Sequence, residues 1–318
     1  MPTDNLDYCL VSIQNCFDTH DIQARVVGGE SNARLNRVFL ALNGKTKIRQ
    51  ISNLAEEISL ALGVKGIRVN RNLDRLSIEI RNEKVPVIHL DDLIEQAQFP
   101  KDGGVFAICG IDMDGQLLAL RLNSSDIAHV LICGTTGSGK TELAKSLVKS
   151  ACKINNDIKL IVVDPKGSEF KCLDEYCLFK RATDYETAEQ RLEWLVSEML
   201  SRSPNEVRTP HIIFLIDELA DFLQGTGKES GEYLTRILQR GRSAGITVVA
   251  CTQKPLASVI GSLAKANFPA KLVGKVTTPE ESKVATGLPD MGCETLVGRG
   301  DFLLINSGES IRFQSSMV

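Results

Sequence analysis

No apolar run in this 318-residue chain reaches the roughly 18 residues that cross a bilayer. The opening stretch "MPTDNLDYCL" is acidic and lacks the basic and apolar regions of a secretory signal peptide. Nine cysteines are present, yet no two are spaced C-x-x-C and no histidine cluster sits beside them. That argues against a disulfide framework or a zinc ribbon, and a reducing cytoplasmic setting is expected. The four histidines are scattered, so no structural metal site is expected. Internal repeats and low-complexity tracts are missing, which argues against solenoids and disordered tails. What remains is 43% apolar and 24% charged, the composition of a globular protein with about two domains.

Net charge is −3, so the whole chain carries no basic excess. Its distribution is uneven. Lys228, Arg236, Arg240, Arg242, Lys254, Lys265, Lys271 and Lys275 face only Glu229 and Glu232, giving +6 in this stretch and −9 elsewhere. A basic block of this kind suits either a polyanion or a solvated face.

Residues 1–20 carry weak signals. "RVFLAL", "GIRVN" and "LSIEI" read as strands, and "NLAEEISLALG" as a helix that Asn53 would cap and Gly63 would stop. "LDDLIEQAQ" reads as a short helix, and "QFPKDGG" as a linker. The expected organisation is therefore a segment 1–20, a small α+β domain 21–104, and an α/β domain 105–318. In the last of these, "HVLIC", "KLIVVD", "HIIFLID" and "ITVVACT" are nearly continuous apolar runs, as strands buried on both faces should be. Helical patterns such as "YETAEQRLEWLVSEML" lie between them. "AKLVGKV", "GDFLLI" and "SIRFQ" supply later strands, some of them candidates for antiparallel pairing. A mostly parallel central sheet covered by helices is expected.

"LICGTTGSGKTELAK" (Leu131–Lys145) holds the spacing G-x-x-x-x-G-K-T between a strand pattern and a helix pattern. Chance would produce it on the order of once in a hundred chains of this length. Gly134, Gly137 and Gly139 let the backbone wrap with its N–H groups turned inward, making a nest for phosphate. The helix N-terminus behind it favours the same anion. Lys140 is placed to reach the β- and γ-phosphates, and the Thr141 hydroxyl to ligate Mg²⁺. Nucleotide contacts are expected from Gly134, Thr135, Thr136, Gly137, Ser138, Gly139, Lys140, Thr141 and Glu142.

A P-loop alone does not separate a small-molecule kinase, a GTPase and a motor. "HIIFLIDELADFL" narrows the choice. Asp217 at a strand tip would hold Mg²⁺ together with Thr141. Glu218 would then orient and polarise a water, which points to hydrolysis. The competing reading is an aspartate that merely caps the next helix. Thr252 and Gln253 end another strand, where a polar side chain could sense the γ-phosphate or simply begin a turn. N-K-x-D, the guanine-reading motif, is missing, so ATP is favoured over GTP.

These motifs, with "KIRQISNLAEEISLALGVKGIRV", "IVVDPKGSEF", "RILQRGRSAGITVVACTQKP", "SLAKANFPAKLVGKV" and "LVGRGDFLLI" in the same order, resemble the FtsK/SpoIIIE/HerA group of ring-shaped DNA-translocating ATPases, and within it the FtsK motors. The resemblance runs from about Gly44 to Gln314. It implies a RecA-like P-loop motor, a smaller domain stacking into a second ring, and a homohexamer around double-stranded DNA. By position it implies nucleotide and hydrolysis roles for Lys140, Thr141, Asp217 and Glu218, and a sensor role for Gln253. Arg242 is the arginine offered to a neighbouring subunit's ATP, with Arg236 as second choice. Lys254 and Lys265, and more weakly Lys283, match basic pore-loop positions that touch DNA.

The membrane helices, long linker and winged-helix domain of the division motors are not found here, so any membrane or division partner lies outside this chain. Lys254 stands where arginine is usual, and a lysine is a point charge rather than a fork. The expected activity is ATP-driven movement of duplex DNA. A related motor that energises protein secretion is the alternative, and an inactive P-loop scaffold a third reading. Stimulation of ATP hydrolysis by duplex DNA separates the first from the other two.

Overall fold

The computed structural model describes residues 5–32, 34–64, 66–71, 75–82, 85–202, 209–253 and 267–318. The chain forms two compact units: 1–87 with 290–297, and 88–289 with 298–318.

In the first unit, helix α1 (Leu6–Thr19) starts at Asn5, whose side chain accepts from the N–H groups of Asp7 and Tyr8. Its Cys9, Ile13, Cys16 and Phe17 fall on one face and are buried. Strands β1 (Ala24–Ser31), β2 (Leu35–Leu42), β3 (Ile67–Arg71) and β4 (Leu76–Arg81) form an antiparallel sheet in the order β1-β2-β4-β3. Short helices α2 (Ile48–Asn53) and α3 (Ala55–Leu62) follow β2. Asn53 is the last residue of α2 rather than the cap of α3, because the two helices are separated by Leu54 alone. Gly63 does end α3, in the left-handed conformation at φ 68°. Ile13, Phe17, Val38, Ile51, Ile58 and Ile78 are among the buried side chains that fill the core.

The second unit is built on a nine-stranded mixed sheet. Its strands are β5 (Phe106–Asp112), β6 (Leu117–Arg121), β7 (Val130–Cys133), β8 (Ile158–Val163), β9 (His211–Ile216), β10 (Ile246–Thr252), β11 (Ala270–Val273), β12 (Asp301–Asn306) and β13 (Glu309–Ser315). Their order is β6-β5-β13-β12-β11-β7-β10-β9-β8. The run β11-β7-β10-β9-β8 is parallel. The other four strands extend it by antiparallel pairing. Helices α4 (Leu90–Gln96), α5 (Lys140–Ile154), α6 (Tyr185–Ser201), α7 (Leu219–Gly225), α8 (Lys228–Arg240) and α9 (Pro279–Thr286) connect and cover it. Every residue of β7, β9 and β10 is buried, which accounts for their uninterrupted apolar sequences. α5 packs on β5, β7, β8 and β10, and α8 on β10 and α6. The parallel order brings the C-terminal tips of β7, β8, β9 and β10 to one edge, where ligands of open α/β sheets bind.

Candidate functional site

β7 leads directly into the glycine loop, and α5 begins at Lys140 with Gly139 at φ 96° as its cap. Gly134 and Gly137 also have positive φ, at 158° and 82°. The loop is tied at both ends. The Gly134 N–H donates to the Thr252 carbonyl at 3.2 Å and the Thr135 N–H to the Lys275 carbonyl at 2.8 Å. On the outer side, the N–H groups of Arg299 and Gly300 donate to the carbonyls of Gly137 and Ser138, at 3.0 and 2.8 Å. With those carbonyls satisfied outward, the N–H groups of Gly137, Gly139 and Lys140 meet no backbone acceptor among the described residues. The Ser138 hydroxyl is buried and likewise has no partner there. An anion with several oxygens fits this donor set.

Three strand tips supply the rest. Asp217, just past β9, is 2% exposed, and its N–H donates to Val163 of β8 at 3.1 Å. Burial pushes its carboxyl above the ordinary range, and the nearby Lys140 and Lys166 pull it back. Lys166, in the turn after β8, lies 3.8 Å from Asp217. Glu218 is the N-cap residue just before α7; its Oε2 lies 3.8 Å from the buried Lys140 ammonium. Thr252 Oγ1 donates to Glu218 Oε1 at 2.7 Å, and the Gln253 N–H to Oε2 at 2.9 Å. Thr136 Oγ1 donates to Gln253 Oε1 at 3.2 Å. Lys140, Asp217, Glu218, Gln253 and the glycine loop are thus gathered at one edge. Thr141 sits half-buried in the first turn of α5. A threonine hydroxyl and an aspartate are hard oxygen donors of the kind Mg²⁺ takes alongside phosphate, so the residues present fit Mg²⁺ and a nucleotide. Glu142 forms an ion pair with Lys145 at 2.8 Å.

Arg242 is not part of this cluster. It is exposed in the turn Gly241–Ala244 that precedes β10. That places it at the N-terminal end of the parallel strands, beside a cavity of about 940 Å³ also lined by Phe106, Asp157 and His211. β10 runs from Ile246 to Thr252 before it reaches the glycine loop. At about 3.3 Å per residue its length alone separates Arg242 from the loop by roughly 20 Å. Arg236 is exposed on α8 and Lys283 on α9. Lys254 and Lys265 lie outside the described residues. Sequence reading missed the Gly298–Gly300 brace and the Thr252 contact. The glycine pair in "GRG" was the available signal for the first; the second joins residues 34 apart and had none.

A glycine loop between a buried parallel strand and a helix, with Asp-Glu at the tip of β9 one strand further along the sheet, defines a P-loop ATPase fold. Residues 89–208 match the model of the FtsK/SpoIIIE family. The chain is 30% identical to the DNA translocase FtsK of Leptospira interrogans, over 96% of this chain and 35% of that protein. Against the Staphylococcus aureus DNA translocase FtsK the figures are 30%, 94% and 41%. The chain therefore spans well under half the length of these curated relatives. Among solved structures, the pCW3 conjugation coupling protein TcpA, in its monomer form with ATPγS, matches with a TM-score of 0.64 at 19% identity, over 97% of this chain and 95% of that one. The cytoplasmic domain of the Thermomonospora curvata type VII secretion ATPase EccC matches with 0.63 at 20%, over 73% and 32%. Both likenesses concern the fold. No helix among the described residues is long and apolar enough to cross a membrane.

Proposed function

We propose that this chain is an ATP hydrolase that moves double-stranded DNA, acting as a homohexameric ring in the cytoplasm with ATP held where subunits meet. The observation that carries the reading is the gathering of Lys140, Asp217, Glu218 and Gln253 around the glycine loop. The loop N–H groups and Lys140 bind the phosphates and take up charge as the terminal one leaves. Thr141 and Asp217 would hold Mg²⁺, which neutralises phosphate charge when bound. Glu218 orients the attacking water and accepts its proton. Arg242, far from the glycine loop of its own chain, is offered to a neighbour's ATP. Lys254 and Lys265, with Lys283, contact DNA phosphates without reading bases.

A second reading, movement of protein, draws on the likeness of fold to the secretion ATPase EccC. The relatives at 30% identity are DNA translocases, and they weigh toward DNA. The deciding measurement is ATP hydrolysis with and without duplex DNA of two unrelated sequences, at rising salt. Stimulation by both duplexes that fades steeply with salt is expected, because phosphate contacts release counterions. No stimulation at low salt would reject the DNA reading.

A further inference from the structure

Thr252, the last residue of β10, is wholly buried. Its hydroxyl is spent on one oxygen of Glu218, at 2.7 Å, while the N–H of the next residue takes the other oxygen at 2.9 Å. One donor on each oxygen fixes the plane of a carboxylate as well as its position; a single donor would leave it free to turn. Hydrogen bonds to an ionised acceptor are also about twice as strong as neutral ones. Lys140, 3.8 Å from the same carboxylate, is too distant for a direct hydrogen bond and adds attraction without comparable direction.

The residue that grips Glu218 through its backbone is itself held through its side chain. Gln253 Oε1 accepts from Thr136 Oγ1, at 3.2 Å, and Thr136 is an exposed member of the glycine loop. The same strand end receives the Gly134 N–H on the Thr252 carbonyl. Strand tip and loop are thus joined twice, and Glu218 is suspended from the strand tip. A shift of the loop around phosphate would pass to Gln253, and from there to the plane of the Glu218 carboxylate.

We propose that Thr252 is a positioning residue for hydrolysis: with the Gln253 N–H it sets the carboxylate plane of Glu218, and the Thr136–Gln253 hydrogen bond links that setting to the glycine loop. The inference rests on the reading of Glu218 as the group that orients the attacking water. A bland role for Thr252, a core hydroxyl that has simply found an acceptor, makes a different prediction. It affects stability and leaves the kinetic route through Glu218 untouched.

The test uses the full chain and compares Thr252→Val, Thr252→Ser, Thr136→Val, Glu218→Gln and the double variant Glu218→Gln with Thr252→Val. ATP binding, kcat and melting temperature are measured for each. Thr252→Val should lower kcat at least about 10-fold, equivalent to about 1.4 kcal/mol of barrier, and leave ATP affinity within about 2-fold. Thr252→Ser keeps the donor and should restore kcat to within about 3-fold of wild type. In the Glu218→Gln background, Thr252→Val should cost nothing further, because two residues acting as one unit are not additive. Thr136→Val, at an exposed site that folding tolerates, should lower kcat several-fold in wild type and add nothing to Glu218→Gln. Where Thr252→Val fails to fold, Thr252→Ala removes the same hydroxyl with a smaller side chain. Wild-type kcat in the hydroxyl-free variants, or a loss that persists undiminished beside Glu218→Gln, overturns the inference. Wild-type turnover by Glu218→Gln alone is a separate result, and it would overturn the reading of Glu218 itself.

Discussion

Two buried histidines behave unlike the polar cluster around the glycine loop, and they make a prediction of their own. His129 precedes β7 and is 1% exposed; its Nδ1 accepts the Val248 N–H at 2.9 Å. His211 opens β9, where its Nε2 meets Thr247 Oγ1 at 3.1 Å. Burial, aided by neighbouring positive charge, pushes both down to about 4. Both rings are therefore neutral in the folded chain at pH 5 to 7. In the unfolded chain each protonates near pH 6.5. As pH falls from 6.5 toward 4, the unfolded state takes up protons that the folded state refuses, so stability is lost across that window. At pH 5 the loss should be about 2 kcal/mol per histidine. Urea unfolding between pH 7.5 and 5 measures it, and His211→Asn should remove about half of the slope. A midpoint that does not move over this range would show that the rings are not held neutral. Glu218, by contrast, is given a donor on each carboxylate oxygen. The two kinds of site show the same rule: a buried polar group is either kept uncharged or fully partnered.

At the scale of elements, the turn Gly298–Gly300 decides how the glycine loop faces its ligand. Its Arg299 and Gly300 N–H groups satisfy the outward carbonyls of Gly137 and Ser138. Gly300 has φ 88°, and a Cβ there would come within 2.5 Å of Gln314 Nε2 and Ser315 Oγ. Gly300→Ala should therefore displace the brace and weaken ATP binding about tenfold, the equivalent of one hydrogen bond of about 1.4 kcal/mol. Gly308 provides the control. It too has positive φ, at 84°, but a Cβ there meets nothing within 4 Å. Gly308→Ala should cost stability and leave ATP affinity unchanged within about 2-fold. Equal ATP affinities for the two variants would remove the brace from the site. This element also marks the limit of sequence reading. β7, β8, β9 and β10 were legible because burial on both faces demands unbroken apolar runs. β1 was not legible, since Gly28 and Gly29 interrupt it and its register shifts there. β5 carries a similar shift beside Gly110, and β6 has only one buried residue. The glycine loop and Asp217-Glu218 were legible because each is a local motif with its own chemistry. The brace and the Thr252 contact join residues remote in sequence, and such pairings depend on strand order, which no local pattern encodes.

For the whole molecule, the parallel strands set a polarity that bears on assembly. Lys140 and Glu218 lie toward the C-terminal tips, whereas Arg242 precedes β10 at the other end of the strands. No side-chain rotation spans the roughly 20 Å of strand between them. If Arg242 serves hydrolysis, it serves the site of a second copy, and a head-to-tail ring offers each site one such arginine. A guanidinium stays charged and can accompany the leaving phosphate. Contributions of this type are worth roughly 10³–10⁵ in turnover. Lys140→Ala and Arg242→Ala should each abolish hydrolysis when assembled alone, the first by disabling every glycine loop and the second by disabling every arginine. Mixed in equal amounts, they create some interfaces where an intact loop meets an intact arginine. Random assembly gives about a quarter of such interfaces in a head-to-tail ring. Hydrolysis should therefore reappear on mixing, at up to about a quarter of the wild-type rate if sites fire independently. A residue acting on its own chain's ATP could not be rescued this way, because no subunit in the mixture carries both intact groups. ATP turnover of the mixture against each variant alone is the measurement. No recovery on mixing would remove the shared site, and full activity of Arg242→Ala by itself would move the role to the exposed Arg236 on α8.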